Sequence, residues 1–291
     1  MDFDSFMAQA WDDHASQPSG VALRLSEHGT VLLTNESQLI QLMNLTHHLW
    51  GSHLQDTAQG QASFAQLSAS SVYMASGESG EMARRCVASL SLTSQEDFSL
   101  AALSVPDQIR VQAMAAANLA DINPARGMLL LQAALDQAAN SGLPSADAMN
   151  RALAVSGHNL AAALEEKPAL TSDETKLMLM ASQASRVYWE RAGTWLQIER
   201  AEYQLAMTFL KAGDLVQAEF HARECGRIVG GNDAPALERF FAFEALARVM
   251  RAAQNDAALE LASEQARAAF DGLDDGDKSW CDTSLKKLHL A

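Results

Sequence analysis

The feature that most narrows the possible folds of this chain is a spacing. Residues 205–226 read LAMTFLKAGDLVQAEFHARECG. Leu205, Ala206 and Phe209 form one stripe, Gly213-Asp214 interrupts it, and Ala218, Ala222 and Cys225 begin another. Apolar residues three and four apart lie above one another on an α-helix, whereas a strand would need alternation. Small side chains at matched points let two helix backbones approach, while larger neighbours fill the grooves beside them. The stretch therefore predicts a helical hairpin built for close stacking.

The same arrangement recurs from residue 106 onward, in four pairs. Val111, Met114, Ala115 and Asn118 precede Gly127, Leu131 and Ala134, and Leu160, Ala161 and Leu164 precede Leu177, Ala181 and Ala184. In the last pair Phe243, Leu246, Ala247 and Met250 precede Leu259, Ser263 and Ala266. The boundaries carry their own chemistry. Pro124 suits a first helical position, where its missing N–H costs nothing. Thr171 and Glu174 have the spacing of a capping box, and Lys167-Pro168 ends the helix before it. With 6 Pro and 16 Gly in 291 residues, and Ala abundant, the chain predicts an all-α protein.

Several of these residues carry a family resemblance. Leu205, Ala206, Phe209, Ala218 and the Gly213-Asp214 turn fit the pattern of the tetratricopeptide repeat, and the resemblance extends over roughly residues 106–270. There are departures: Glu202 stands where the pattern has an aromatic, Ala222 where it has Phe, and Gly230 where it has the closing Pro. Ala206 and Ala247 are 41 residues apart, longer than the family's period of about 34. The resemblance implies a TPR-like right-handed superhelix of antiparallel helix pairs, an α-solenoid with long, degenerate repeats. Residues 1–35 are expected to form an irregular N-terminal cap and residues 36–291 a helical-repeat domain.

Within that cap, residues 20–34 read either as a short hairpin turning at His28-Gly29 or as a helical turn with an extended segment. Residues 93–104 are the one plausible internal boundary. The segment DGLDDGDKSWCD at 271–282 places Asp271, Asp275, Gly276 and Asp282 at four positions of a calcium loop. Leu273 occupies a ligand place there, and Asp replaces the bidentate Glu. An acidic solvated turn followed by a short sealing helix is the expectation.

Charge and motif content exclude several functions. Against 36 acidic residues stand 21 basic ones, a formal charge of −15. That balance opposes nucleic acid, whose binding needs clustered Lys and Arg, and an anionic membrane surface. Cys86, Cys225 and Cys281 lack metal-ligand spacing and read as buried thiols. The opening MDFDSFMAQAWDD lacks the order of a secretion signal, and no apolar run reaches membrane-span length, so a cytoplasmic protein is expected. No phosphate loop, nucleophile elbow or metalloprotease motif is present, and Ser156-Gly157-His158-Asn159 cannot form a triad from one helix. His47, His48 and His53 do not share the one-turn spacing of a helical zinc site, and they read as surface or interface histidines. Tyr188, Trp189 and Trp195, with Arg186 and Arg191, read as core with arginine stems over the rings.

The family resemblance places the inner wall on the first helix of each pair. Transferring that face selects Asn118, His158, Asn159, Ala162, Arg200, Tyr203 and Met207, and Asn150 joins His158 on nearly one helix face. Asparagine can both donate to and accept from a peptide backbone, and Tyr203 and Met207 offer apolar contact. The expected function is a non-catalytic scaffold that binds a peptide or protein segment in its groove, without cofactor or metal. A sensor or self-associating assembly subunit that binds a small signal, with a homodimer as its assembled form, is the alternative, and a helical metal-dependent enzyme using the N-terminal histidines is the third.

Overall fold

The computed structural model describes residues 2–289. Among these residues the chain is helical throughout, with no strand. It divides into two compact units, Met1–Leu143 and Pro144–Ala291. No helix among the described residues is long and apolar enough to cross a membrane.

The first unit holds α1 (Phe3–Asp13), α2 (Pro18–Arg24), α3 (Glu36–His48), α4 (Thr57–Leu67), α5 (Glu78–Ser94), α6 (Val105–Asn118) and α7 (Pro124–Asn140). Residues 20–34 settle as the end of α2, one π-helical turn at Leu25–Gly29 and a 3-10 turn at Thr30–Leu32, so neither a hairpin nor an open extended segment forms there. Helix α5 packs against α3, α4 and α6. Phe6, Leu39, Leu42, Met43, Leu49, Phe64 and Leu90 share one buried cluster. Polar contacts fix the helices around it. The Ser79 amide and hydroxyl both donate to Glu36 Oε1, at 2.9 and 2.8 Å, and Arg85 pairs with Asp107 at 2.9 Å.

The second unit holds α8 (Ala148–Glu166), α9 (Ser172–Ala192), α10 (Trp195–Ala212), α11 (Leu215–Gly230), α12 (Ala236–Ala252), α13 (Asp256–Asp271) and α14 (Asp275–His289). Each helix packs on its successor, and α8, α10, α12 and α14 also touch in turn. The Thr171–Glu174 capping box is present, and Thr194 with Gln197 forms a second one. Asp274 Oδ1 accepts from the Asp277 amide at 2.8 Å and Leu273 is buried, so the acidic segment at 271–282 is a helix start rather than an ion-binding loop.

Gly213-Asp214 does two jobs in adjacent residues. Gly213 adopts φ +81°, which lets the Asp214 amide donate back to the Phe209 carbonyl at 3.0 Å and ends α10. Asp214 Oδ1 then accepts from the Gln217 amide at 3.1 Å and starts α11. The device returns 41 residues later. Gln254 adopts φ +54°, the Asn255 amide donates to the Met250 carbonyl at 3.0 Å, and Asn255 caps α13. Helices α10 and α12 start 41 residues apart, as do α11 and α13. The internal period is thus structural as well as compositional.

Glu202 explains one departure from the repeat pattern. It is buried, and its carboxylate meets Arg186 Nε of α9 at 2.5 Å and His221 Nδ1 of α11 at 2.6 Å. Burial opposes its charge, but the hydrogen bonds from His221 and Arg186 hold the carboxyl below its usual range. Glu202 thereby ties α9, α10 and α11 together. The aromatic group at 188–195 is only partly core: Tyr188 is buried under Arg191, whose guanidinium lies 5.0 Å from the ring centroid, and Trp189 is half-buried beneath Arg151 at 5.5 Å.

Two stability outcomes follow. A Cβ added at Gly157 would lie 2.6 Å from the Ala181 carbonyl and 3.1 Å from the Ser185 amide, both backbone atoms of α9. Gly157→Ala is therefore expected to lower the melting temperature by about 5 °C, although helix propensity alone predicts a gain of about 1 kcal/mol. Gln254→Gly relieves a left-handed residue and is expected to add about 1 kcal/mol in chemical denaturation.

Candidate functional site

The second unit contains a pocket of about 530 Å3 walled by first helices and closed on one side by α14. Helix α8 contributes His158, Ala162 and Glu165, and α10 contributes Glu199, Arg200, Tyr203 and Gln204. Leu237, Glu238 and Phe241 come from α12, and Trp280 comes from α14. One helix face supplies each set: Glu199 and Tyr203 are four apart, as are His158 and Ala162, and Leu237 and Phe241. Reciprocal bonds lock α8 to α10. His158 Nδ1 donates to Gln204 Oε1 at 2.9 Å, while Gln204 Nε2 donates to the His158 carbonyl at 2.9 Å.

The pocket is acidic and aromatic together. Arg200 Nη2 meets Glu238 Oε1 at 2.5 Å, with Glu238 buried and Arg200 side chain 57% exposed. Tyr203 O–H donates to Glu244 Oε2 at 3.2 Å. The Tyr203 and Phe241 rings stand 5.9 Å apart edge to face, and Phe241 and Trp280 are 5.2 Å apart. Trp280 is 66% exposed, an unusual state for an indole that nothing on its outer side covers.

Glu199 is the most perturbed group in this wall. It is 1% exposed, and its Oε1 has no hydrogen-bond partner. Burial, reinforced by the neighbouring Glu238 carboxylate, raises its pKa from 4.5 to about 8. At neutral pH Glu199 is therefore largely a neutral acid lying beside a carboxylate. Burial also raises Glu165 and Glu244 above their ordinary values. Three carboxyl groups, Glu165, Glu199 and Glu238, thus line one cavity whose single lining guanidinium is the exposed Arg200, while Glu244 stands behind Tyr203 and pairs with Arg248 at 3.5 Å.

The residues expected to form an inner wall separate into three groups. His158, Arg200 and Tyr203 come together in the pocket, with Ala162 beside them. Asn159 is exposed on α8 and does not line it. Asn118, Asn150 and Met207 are each 2% exposed and serve internal packing. Asn150 Nδ2 holds the carbonyls of Pro144, Ser145 and Asp147 at 3.3, 2.9 and 3.3 Å, which fixes the loop before α8. Met207 lies within the α10 core cluster, and Asn118 lies in the first unit among Ser89 and Thr93.

Sequence reasoning missed Glu199, Glu238, Phe241 and Trp280. Two signals were available: Glu199 precedes Glu202 and Tyr203 in helical register, and Trp280 is the one Trp, Tyr or Phe of α14. Neither reveals that the carboxyls are buried. The first unit also corrects the expectation for the histidines. His47 turns inward, its Nε2 3.1 Å from Ser89 Oγ, whereas His48 and His53 converge with His14, which the sequence reading had not connected to them. The reason is a local change of helix type at Leu49–His53.

No family model, curated protein or solved structure matches the chain.

The Glu199 proton provides a test of this geometry. The folded pKa lies above the ordinary one, so its stabilising contribution is fully present below pH 4.5 and is lost as pH rises to about 8. Glu199→Gln is expected to flatten the fall of melting temperature across that window and to exceed the parent above it, measured by thermal melts at constant ionic strength.

Proposed function

We propose that the second unit is a non-catalytic recognition module of TPR-like helix pairs, stacked as an α-solenoid, that binds an extended partner segment through a cationic side chain. The 41-residue register of α10–α11 and α12–α13 and the sequential packing of α8, α10, α12 and α14 support the repeat reading. The observation that carries the binding reading is the buried Glu199 carboxyl, whose Oε1 has no hydrogen-bond partner, next to Glu238 in an aromatic-walled pocket.

Lysine or arginine satisfies both halves of such a site. Its alkyl stem packs on Leu237 and Ala162, and its charged head meets the carboxylates. Tyr203, Phe241 and Trp280 present ring faces that attract a cation by about 0.5–2 kcal/mol. Arg200 is the internal stand-in: it already pairs with Glu238, and its exposure lets it swing aside for a ligand. A cation beside Glu199 favours the ionised carboxylate, so binding near neutral pH expels the proton.

Calorimetry of the full chain with an extended peptide carrying one lysine between apolar residues tests this reading. The lysine peptide is expected to bind, and the same peptide with glutamate in its place is not. In buffers of different ionisation enthalpy, the lysine complex is expected to release up to about one proton at pH 7. Glu238→Gln and Trp280→Ala are each expected to weaken it by about 5-fold or more, a loss of about 1 kcal/mol. Equal affinity for the two peptides, or no binding of either, would sink the proposal.

A further inference from the structure

Three histidines of the first unit are positioned by two unrelated devices. Helix α1 ends at Asp13, and the ring of His14 at its C-cap donates from Nδ1 to the Trp11 carbonyl. That bond commits the Nδ1 proton and leaves Nε2 as the lone-pair atom. His48 closes α3, and beyond it the chain changes pitch. Leu49–His53 is one turn of π-helix, closed by the Leu54 amide donating to the Leu49 carbonyl at 2.8 Å. On an α-helix, residues five apart point about 140° away from each other. The wider turn returns them to one side, and the Nε2 atoms of His48 and His53 lie 3.0 Å apart.

This turn is braced from behind. Ser52 Oγ donates to Asn118 Oδ1 at 3.4 Å, and Asn118 Nδ2 donates to Ser89 Oγ at 3.3 Å and Thr93 Oγ1 at 3.1 Å. A Cβ at Gly51 would fall 2.4 Å from Asn118 Oδ1, so the π turn rests directly on that amide. Asn118 is thereby a positioning residue for His53. In front, His14 stands 5.1 Å from both other rings by centroid, and Trp11 stacks on His48 at 5.7 Å. One ligating nitrogen from each of His14, His48 and His53 lies within 4.8 Å of the others.

Two imidazoles at hydrogen-bond distance can share a proton. A third converging ring has no part in that bond, yet it is fixed with its own nitrogen free. We propose that His14, His48 and His53 form a binding site for a late first-row divalent transition ion of the Zn2+ type. Imidazole nitrogen selects such ions over Mg2+ and Ca2+, which prefer oxygen. Metal-bound histidines characteristically donate their other N–H to a carbonyl or carboxylate, and His14 does so through Trp11. Zn–N bonds of about 2.0–2.1 Å in a tetrahedral site bring neighbouring nitrogens to about 3.3 Å, so His48 and His53 are already spaced for it. His14 closes by a side-chain rotation. Three protein ligands leave a fourth position for water or an exogenous donor.

The test uses the full chain after removal of metal with a chelator. Titration with Co2+, followed by its visible absorption, and with Zn2+ in competition is expected to show one ion per chain. Millimolar Mg2+ or Ca2+ is expected not to compete. His14→Gln and His53→Gln are each expected to weaken Co2+ binding by about 100-fold, the upper end of what losing a ligand's own hydrogen-bond partner costs. His28→Gln, an exposed histidine outside the cluster, is expected to bind as the parent does. Folding of each variant is checked by far-ultraviolet circular dichroism. Absence of saturable binding below about 1 mM, parent-like binding by the His14 and His53 variants, or an equal loss in His28→Gln overturns the site.

Discussion

Close approach of helix backbones is the constraint on which the second unit depends. Ala206, Ala218, Ala222, Ala245 and Ala247 are fully or almost fully buried, and Gly157 admits the backbone of α9 itself. Where side chains are this small, most of the contact is between backbones, and there is little freedom for a helix to shift by rearranging rotamers. The helices are therefore held at fixed separations. Those separations place Glu199, Glu238 and Phe241 around one cavity, although they come from two different helices.

Buried carboxylates are the complementary theme. Glu202 is compensated by Arg186 and His221, and Glu174 by Lys167 and the Thr171 amide. Those charges have become structural ties. Glu199 has no guanidinium bonded to it and its Oε1 has no hydrogen-bond partner, and burial beside Glu238 pushes its pKa up to about 8. The contrast within one unit is between carboxylates tied into the architecture and a buried carboxyl with an oxygen left unbonded.

The helix limits were readable because short-range rules decide them. Pro124, the Thr171–Glu174 box and the Gly213-Asp214 pair all sit at helix boundaries, where a local hydrogen bond settles the geometry. The repeat was readable for the same reason: small residues recur in step. The pocket was only half legible. His158, Arg200 and Tyr203 follow from the face of a first helix, but the burial of Glu199 depends on α12, and the ring of Trp280 arrives from α14. Asn118, Asn150 and Met207 lie on plausible faces as well, and only packing shows that they point into the interior. The histidine cluster was the least legible part. Its formation needs a pitch change that no residue at 49–53 announces, together with a ring from the C-cap of α1, 34 positions upstream of His48.

The π turn at Leu49–His53 has an evolutionary corollary. Such a turn amounts to one surplus residue, here accommodated in the last turn of the helix that α3 begins. Losing a single residue there would restore ordinary pitch up to the helix end and turn the next side chain by about 100°. A lineage could thus acquire or discard this convergence of rings in a single-codon event at the end of one helix.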